Sequence, residues 1–474
     1  MFERGNVPSV RNKHVLSGNL FEIIAPPNNL QVIDSYHQKL GKNFGMFYGP
    51  DPWVFSTDLE LLYRLFVTEG NEHIDIVQFR LPFVDEVNNS LAQIQGDRWR
   101  RTRRILNPSF AHRQMKSDNV FEDINRACVK LLDCVAGHPV EGGGSEPGVG
   151  QQPGRIVDVL YNFKKFSVEV IFQVAYGCET GVNMEPLAKD PLIEAIHDGS
   201  KNVRGPVVWA SIMFDNSQRL LGLLTHFTPI GRYTKFIHSV LDESLRRRRQ
   251  ISNRVDKGNR KMIDTIIESG SSHKLEDSIL KANLFFIFVA GFETSANTLA
   301  ILFWLLAQNL PIQEKLRTAI ASEGEEAKYL EWCIQETLRL YPAVPTAIGR
   351  ILHQDLHHNG MTFFKGTTIN ASIYSIHHCK EYWGQDEAVF RPERFGELKL
   401  HPAQYFAFGL GPRYCIGTNL AMAEMRAIVP RLLLKYRVDL CSTSPTFIDA
   451  TSPNMIHMII EGQINLKFTE ISSL

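Results

Sequence analysis

The sequence predicts a mainly α-helical protein with a small β region. Long stretches carry apolar residues at helical spacing, strand-like runs are short and few, and no internal repeat of roughly 20–50 residues is visible. Of the 474 residues, 44% are hydrophobic and 22% are charged, which is the balance of a globular protein with a substantial core. A disordered or collagen-like chain is therefore excluded, and we expect one mostly helical domain with a minor sheet.

Apolar periodicity, together with the residues that interrupt it, places the individual elements. Helices are predicted at 58–67, 121–136, 155–174, 233–249, 312–321 and 330–340. The last of these ends before Tyr341-Pro342, because proline disfavours helical geometry in the residue that precedes it. Strands are predicted in a hairpin over 46–55 and around 348–352, 367–373 and 455–468. The glycine-rich stretch 141–154 is predicted to be a flexible loop.

The most apolar stretch runs from Ala282 to Gln308 and is long enough to cross a bilayer. Glu293 lies at its centre, and a carboxylate at the bilayer midplane costs a few kcal/mol or more. We therefore predict a long helix through the core of a soluble domain, with a polar notch halfway along. A second apolar stretch, 205–214, is too short to span and is either a core segment or a patch that meets a membrane or gates a pocket.

Charge and cysteine content exclude several classes of protein. Lys and Arg number 51 and Asp and Glu also 51, so the basic excess of a nucleic-acid-binding protein is absent. The 7 cysteines are an odd number and none forms C-x-x-C, so a disulfide framework, a paired-cysteine zinc site and covalent haem attachment are unsupported. Reduced thiols are the default expectation.

Cys415 stands in the most informative segment of the chain. It follows a loop with Gly409 and Gly411, and a helix is predicted from Gly417 onward. The positive end of that helix and the nearby Arg413 are expected to lower the pKa of the thiol, and such a thiolate suits metal ligation. A buried structural thiol is the alternative for an isolated cysteine. A dinucleotide-binding loop is disfavoured because its third glycine is missing.

Four further motifs accompany this loop in a fixed order. Phe408–Gly417 reads F-x-x-G-x-R-x-C-x-G and resembles the haem-binding loop of the cytochrome P450 family. Residues 290–295 are similar to that family's A-G-x-[DE]-T-[TS], 336–339 to its E-x-x-R, 390–395 to its P-E-R-F element and 99–103 to its W-x-x-x-R. The resemblance implies a catalytic domain over residues 15–474, preceded by an N-terminal tail at 1–14 that lacks the membrane anchor of microsomal relatives.

The resemblance also implies the cofactor and its ligands. Haem b would lie, non-covalently bound, between the long central helix and the cysteine loop, with Cys415 as the thiolate ligand of the iron. Phe408 would pack near the sulfur, and Gly417 would leave room for the flat ring system. The residues implied for the haem propionates are Trp99, Arg103, Arg350 and Arg413.

Other residues receive catalytic or structural roles from the same resemblance. Glu293 and Thr294 would relay protons for O2 activation, and Gly291 would leave space for oxygen. Glu336, Arg339 and Arg394 would form a buried structural network. The residues expected to line the substrate pocket are Phe288, Ala290, Val344, Thr346 and Ala347.

The implied function is a haem-thiolate monooxygenase of the broad-substrate steroid- and drug-oxidising group, which inserts one oxygen atom of O2 into a lipophilic sterol, fatty acid or xenobiotic. Electrons would come from NADPH–cytochrome P450 reductase, with cytochrome b5 as a possible second donor. The implied location is the cytosolic face of the endoplasmic reticulum membrane. Two alternatives stay open: a haem-thiolate isomerase or dehydratase acting on a lipid peroxide, and a non-enzymatic haem carrier or gas sensor.

Overall fold

The structure is a computed structural model, and the predicted helical fold class is confirmed. It describes residues 1–11, 17–19, 29–76, 88–139, 154–178, 184–185, 189–194, 229–251, 261–271, 276–346, 349–448, 450–451, 458–460 and 462–471. The apolar stretch 205–214, nearly all of the predicted loop 141–154, and Ala347 lie outside the described residues.

Helices account for most of the described chain. The α-helices are α1 (Asn29–Leu40), α2 (Leu59–Tyr63), α3 (Gly96–Leu106), α4 (His112–Met115), α5 (Asp118–Gly137), α6 (Val159–Ile171), α7 (Pro229–Ile251), α8 (Met262–Ser271), α9 (Asp277–Gln308), α10 (Leu310–Glu323), α11 (Lys328–Leu340), α12 (Ile373–His377), α13 (Lys380–Trp383), α14 (Arg394–Glu397) and α15 (Thr418–Lys435). Short π-helical turns extend α2 over Arg64–Thr68 and α6 over Phe172–Tyr176.

The strands form four small sheets. They are β1 (Asn43–Tyr48), β2 (Asp51–Ser56), β3 (Arg155–Asp158), β4 (Arg350–Ile351), β5 (Leu356–His358), β6 (Met361–Phe363), β7 (Thr368–Ala371), β8 (Tyr436–Leu440), β9 (Ala450–Thr451), β10 (Ile459–Ile460) and β11 (Asn465–Glu470). The largest sheet has the order β1-β2-β7-β4, in which β1 and β2 form the predicted antiparallel hairpin and β7 lies parallel to β2.

One local expectation is corrected by these elements. Residues 155–158 were expected to be helical but form β3, which pairs with β11, and Asp158 then caps α6 by accepting a hydrogen bond from the Tyr161 amide. The described part of the expected tail, residues 1–11, packs on the protein. Phe2 and Val7 are buried, and Ser9 bridges to Gly45 beside β1.

Helix α9 crosses the core, as the sequence predicts. By length and composition it is the one helix of the described chain that is long and apolar enough to cross a membrane, and 67% of its most apolar window is buried inside the protein. Its neighbours include α6 on one side and α11 and β8 on others. Its apolar character is therefore explained by core packing on several faces.

A buried ionic network joins α11 to the segment that leads to the cysteine loop. The Glu336 carboxylate accepts hydrogen bonds from Arg339 (Nε–Oε2, 2.7 Å) and from Arg394 (Nε–Oε1, 2.8 Å), and the side chains of all three residues are 0% exposed. The remaining guanidinium hydrogens reach backbone carbonyls, among them His377 from Arg339 and Val389 from Arg394. One carboxylate thus fixes the path of residues 377–394 relative to α11.

A second buried carboxyl group lies where α15 packs against α9 and α6. Glu424 of α15 is 2% exposed, and burial raises its pKa to about 8, although the nearby hydroxyl groups of Ser295 and Ser167 lower the pKa in part. At neutral pH this side chain is a neutral acid. It can therefore lie in the core without a cationic partner.

We expect Glu336→Gln to destabilise the fold by about 3–5 kcal/mol, because it leaves two buried guanidinium groups without their counter-charge. Urea unfolding measures this. The control is Glu331→Gln, which removes a partly exposed carboxylate from the same helix and breaks the ion pair with Arg426. A loss no larger than that of the control would contradict the role given to Glu336.

Glu424→Gln should flatten the pH dependence of stability. Below the ordinary carboxyl pKa both states hold the proton. Between that value and pH 8 the unfolded chain releases a proton that the folded chain keeps, so the free energy of unfolding falls as pH rises, by at most about 1.4 kcal/mol per pH unit. The variant lacks this slope. Urea titrations at several pH values test it, and an unchanged slope would show that Glu424 titrates normally.

Candidate functional site

The cysteine loop is held in place by a close backbone approach. Gly411 has φ +68°, and a Cβ at this position would lie 1.7 Å from the Phe66 carbonyl oxygen, so only glycine fits there. The Cys415 amide donates to the Phe408 carbonyl oxygen at 2.9 Å, and Thr418 Oγ1 donates to the Cys415 carbonyl oxygen at 3.0 Å. These contacts fix Cys415 just before α15 begins.

The Cys415 thiol lies in a less polar setting than the sequence suggests. Its side chain is accessible on one side, but burial raises its pKa and outweighs the opposing effects of the Gly417 and Thr418 amides and of the Arg103 charge. The expectation of a lowered pKa is therefore wrong for the metal-free chain. A coordinated metal ion supplies the missing charge and deprotonates a thiol outright. Gly417 keeps its Cα side open, since a Cβ there would lie 3.9 Å from the sulfur.

Three guanidinium groups form a cluster that reaches this sulfur: Arg350 lies within electrostatic range of Arg413, Arg413 of Arg103, and Arg103 of Cys415. Burial lowers the pKa of Arg350 to about 9 and of Arg413 to about 10, and the two charges oppose each other. Burial also lowers the pKa of Arg103, which lies within electrostatic range of both Arg413 and Cys415. The positive charge of this cluster is accordingly costly in the chain alone, and an anionic group placed among the three arginines would relieve that cost.

Neighbouring residues hold these arginines in position. Arg413 donates to the carbonyl oxygens of Ile74 (3.0 Å) and Ile94 (2.8 Å), and its guanidinium lies 4.5 Å from the centre of the Trp99 ring. The Arg350 guanidinium lies 4.3 Å from the centre of the Phe66 ring. Trp99 itself is 5% exposed. The structure thus brings together all four residues that the sequence assigned to the propionates.

One acidic side chain near the cluster is engaged with other partners. Asp75 lies within electrostatic range of Arg413. Its Oδ1 accepts a hydrogen bond from the Gly96 amide at 2.8 Å, and its Oδ2 faces His353 at 3.2 Å. A group with a thiolate-binding metal and two carboxylates fits this arrangement, because it supplies the positive charge to the sulfur and the negative charge to the arginines. Haem b has this composition.

Two polar side chains in the notch of α9, Glu293 and Thr294, point in different directions. Thr294 is partly exposed, and its Oγ1 donates to the Ala290 carbonyl oxygen at 2.8 Å, which leaves the oxygen lone pairs free to accept another hydrogen bond. Glu293 is buried and faces α6, where Lys164 Nζ lies 3.5 Å from its Oε1. The sequence reasoning missed Lys164, and a lysine within an apolar helix was the available signal.

Two residues of α9 pack closely against other parts of the core. Phe288 is 0% exposed and packs between Phe172 and Phe292, with ring centres 5.5 Å apart in both pairs, so the structure places it in the core and not at a pocket wall. Gly291 faces Ile171 of α6, since a Cβ would lie 2.6 Å from Ile171 Cδ1. Its small size allows the two helices to pack closely, and the space for oxygen expected beside it stays a prediction.

Partly exposed residues of α9 form a different stripe. The partly exposed residues at helical spacing are Phe286, Val289, Ala290 and Thr294. The sequence reasoning missed Phe286 and Val289. Val344 is also partly exposed, whereas Thr346 is buried. The helical spacing was the signal that could have found the two missed residues. Phe286 and Ala290 are four residues apart, as are Ala290 and Thr294, so all three lie on one face of the helix.

On the outer side of the cysteine loop lies a groove of ≈ 680 Å³, lined by Phe408, Tyr414 and residues of α4, α5, α11 and α15. Charged residues of both signs line this groove, namely Lys116, Arg426, Glu325, Glu326 and Glu331. Helix α3 carries four exposed arginines, which are Arg98, Arg100, Arg101 and Arg104. The segment just after that helix contacts the start of α15, where Asn419 donates to the Phe110 carbonyl oxygen.

Comparison with known proteins agrees with this geometry. The family model for cytochrome P450 matches residues 8–468. Cytochrome P450 3A13 of Mus musculus is 27% identical over 85% of this chain and 80% of that protein. Cytochrome P450 3A9 of Rattus norvegicus is 26% identical over 88% of this chain and 83% of its own length. Proteins of this family bind haem b through a cysteine thiolate. The chain therefore belongs to the cytochrome P450 family and is a haem-thiolate monooxygenase that acts on lipophilic substrates.

Proposed function

We propose that Cys415 is the thiolate ligand of haem b and that Trp99, Arg103, Arg350 and Arg413 bind its propionates. The observation that carries this proposal is the cluster of three buried guanidinium groups, of which Arg103 lies within electrostatic range of the Cys415 sulfur. Phe408 and Gly417 border the ligand, the first through its carbonyl bond to the Cys415 amide. When bound, haem activates O2 with two electrons, and thiolate ligation favours O–O cleavage.

The chain supplies the protons that this chemistry consumes. Thr294 Oγ1 donates its proton to the Ala290 carbonyl oxygen, so its lone pairs can accept a hydrogen bond from a water molecule beside the notch and orient it. Glu293 is the carboxylate one residue away. Lys164 holds Glu293 on the α6 side, and proton transfer requires this side chain to release the lysine or to pass the proton through water. Lys164 is thus a positioning residue.

A redox partner delivers the electrons, and we assign that role to NADPH–cytochrome P450 reductase, with cytochrome b5 as a second donor. The groove outside the cysteine loop offers an apolar floor at Phe408 and Tyr414. The exposed arginines of α3 favour a partner with an acidic face. The groove lining itself contains Glu325, Glu326 and Glu331 against Lys116 and Arg426, and Glu326 pairs with Lys116 at 3.0 Å, so the positive charge comes from α3 and not from the groove.

The substrate is a moderately large lipophilic molecule such as a sterol, a fatty acid or a xenobiotic. The partly exposed stripe Phe286, Val289 and Ala290, with Val344, provides apolar walls beside Thr294. The proposed location is the cytosolic face of the endoplasmic reticulum membrane, where such substrates partition. The Glu293–Thr294 pair favours the monooxygenase over a peroxide isomerase or a haem carrier, neither of which consumes protons for O2 activation.

The experiment that tests this function is reconstitution with the reductase and NADPH. We expect ligand-dependent spectral shifts with some of the sterols, fatty acids and xenobiotics screened, and oxidation of the same compounds only when reductase, NADPH and O2 are all present. Oxidation should weaken as salt increases, because exposed arginines steer the partner. Turnover of a lipid peroxide without any reductant would contradict the proposal and favour the isomerase.

Cys415→Ala should abolish the thiolate-type spectrum of the ferrous carbon monoxide complex, since no other residue would supply a sulfur ligand there. Cys379→Ala is the control. Cys379 is a partly buried thiol that lies just before α13, outside the cysteine loop. Visible spectra of both purified variants decide the matter. A normal spectrum in Cys415→Ala would overturn the ligand assignment.

Thr294→Ala should keep the haem spectrum but lower the fraction of NADPH electrons that reach product, by about tenfold or more, with hydrogen peroxide released instead. Thr298→Ala is the matched control, because Thr298 Oγ1 makes the same bond to a carbonyl oxygen one turn further along, to Thr294 at 2.8 Å. Product, NADPH and hydrogen peroxide are measured together. Equal coupling in both variants would remove Thr294 from the proton path.

A further inference from the structure

A group of potential metal ligands lies in the turn that follows the π-helical extension of α2. The ligand atoms of Glu69, Glu72 and His73 all lie within 4.8 Å of one another. The His73 amide donates to the Glu69 carbonyl oxygen at 3.1 Å and the Glu72 amide donates to the same oxygen at 2.9 Å. One tight turn therefore presents the three side chains together.

Three buried atoms in this group lack a hydrogen bond. The His73 side chain is 1% exposed and neither of its ring nitrogens has a hydrogen-bond partner, and the same holds for Glu69 Oε2. The other carboxylate oxygen of Glu69 accepts a hydrogen bond from Arg64 Nε at 2.5 Å, so Oε2 is left directed at His73. An unsatisfied buried polar atom costs about 1–3 kcal/mol, and here two of them face each other.

The distance between the two facing atoms distinguishes a direct hydrogen bond, a bridging water molecule and a shared metal ion as their partner. His73 Nε2 and Glu69 Oε2 are 3.6 Å apart, beyond the 2.7–3.2 Å range of an N–H···O hydrogen bond. A single bridging water at ordinary distances and angles would hold them about 4.4 Å apart. Two ligands of a tetrahedral zinc ion, each roughly 2.0–2.1 Å from the metal, lie about 3.4 Å apart. The observed separation agrees best with a shared metal ion.

We propose that Glu69, Glu72 and His73 form a binding site for a zinc ion, distinct from the cysteine loop. One imidazole and two carboxylates are a ligand set that zinc accepts, with water in the fourth position. Calcium and magnesium prefer a larger set of oxygen ligands, which this turn does not offer. Glu72 is exposed, so the ion has a path of entry from solvent.

The site would brace the cysteine loop. The next residue, Ile74, accepts the Arg413 Nε hydrogen bond at 3.0 Å, and Gly70 packs so closely on the loop that a Cβ there would lie 2.9 Å from Pro412 Cδ. An ion that ties Glu69 to His73 stiffens this turn. Its binding does not depend on the roles assigned to the haem-site residues.

Calorimetric titration of the haem-loaded, tag-free, chelator-treated protein with zinc chloride tests the proposal. We expect one tight zinc ion per chain, a higher thermal unfolding midpoint with zinc, and no comparable binding of calcium or magnesium. Glu72→Gln, an exposed substitution that should leave the fold intact, should weaken this binding at least about tenfold. X-ray absorption at the zinc edge should then report mixed nitrogen and oxygen ligands.

Glu60→Gln is the matched control. Glu60 is an exposed carboxylate 3.4 Å from His401, and within the described residues this pair belongs to no three-ligand group. This variant should bind zinc as the wild type does. Absence of a one-to-one site, or equal zinc affinity in Glu72→Gln and the wild type, would overturn the proposal.

Discussion

One buried carboxylate determines the shape of the region that carries the chemistry. Glu336 is wholly enclosed, and both guanidinium groups that pair with it also hold backbone carbonyls of the segment between α12 and α14. Such a network is stable only when every charge in it is paired, because each lost partner leaves a bare charge in the core. The segment that leads to Cys415 is therefore fixed to α11 by electrostatics in a low-dielectric interior more than by apolar packing.

The site itself has the opposite electrostatic character. Near Cys415 the chain gathers buried positive charge, and burial lowers the pKa of Arg350, Arg413 and Arg103. The thiol pKa is raised for the same reason, since both effects come from removing charge from water. A cofactor with a cationic centre would stabilise the thiolate, and its anionic edges would stabilise the charged arginines. Haem affinity and loop stability are consequently one property in this fold, and the turn at Glu69–His73 lies against the same loop.

Helix α9 combines core packing with accessible positions along its length. Phe288, Gly291 and Glu293 each meet α6 or its extension, through Phe172, Ile171 and Lys164 in turn. Thr294 lies one residue from Glu293 but about 100° around the helix, where it remains accessible. In the proposed proton relay, the acid and the hydroxyl would thus point in different directions around the helix. That relay would require a movement of Glu293 or a chain of water molecules.

The sequence by itself determined the fold class, the central helix, the hairpin and the residues that surround the cysteine, because each of these follows from local periodicity or from a motif with fixed spacing. It did not determine which face of α9 meets which neighbour, and so it assigned Phe288 to a pocket and missed Lys164. It also gave Cys415 a lowered pKa, since helix polarity is visible in a sequence whereas desolvation is not. Those outcomes depend on residues more than a hundred positions away, and only the packing of α6 against α9 and of the arginines around the sulfur decided them.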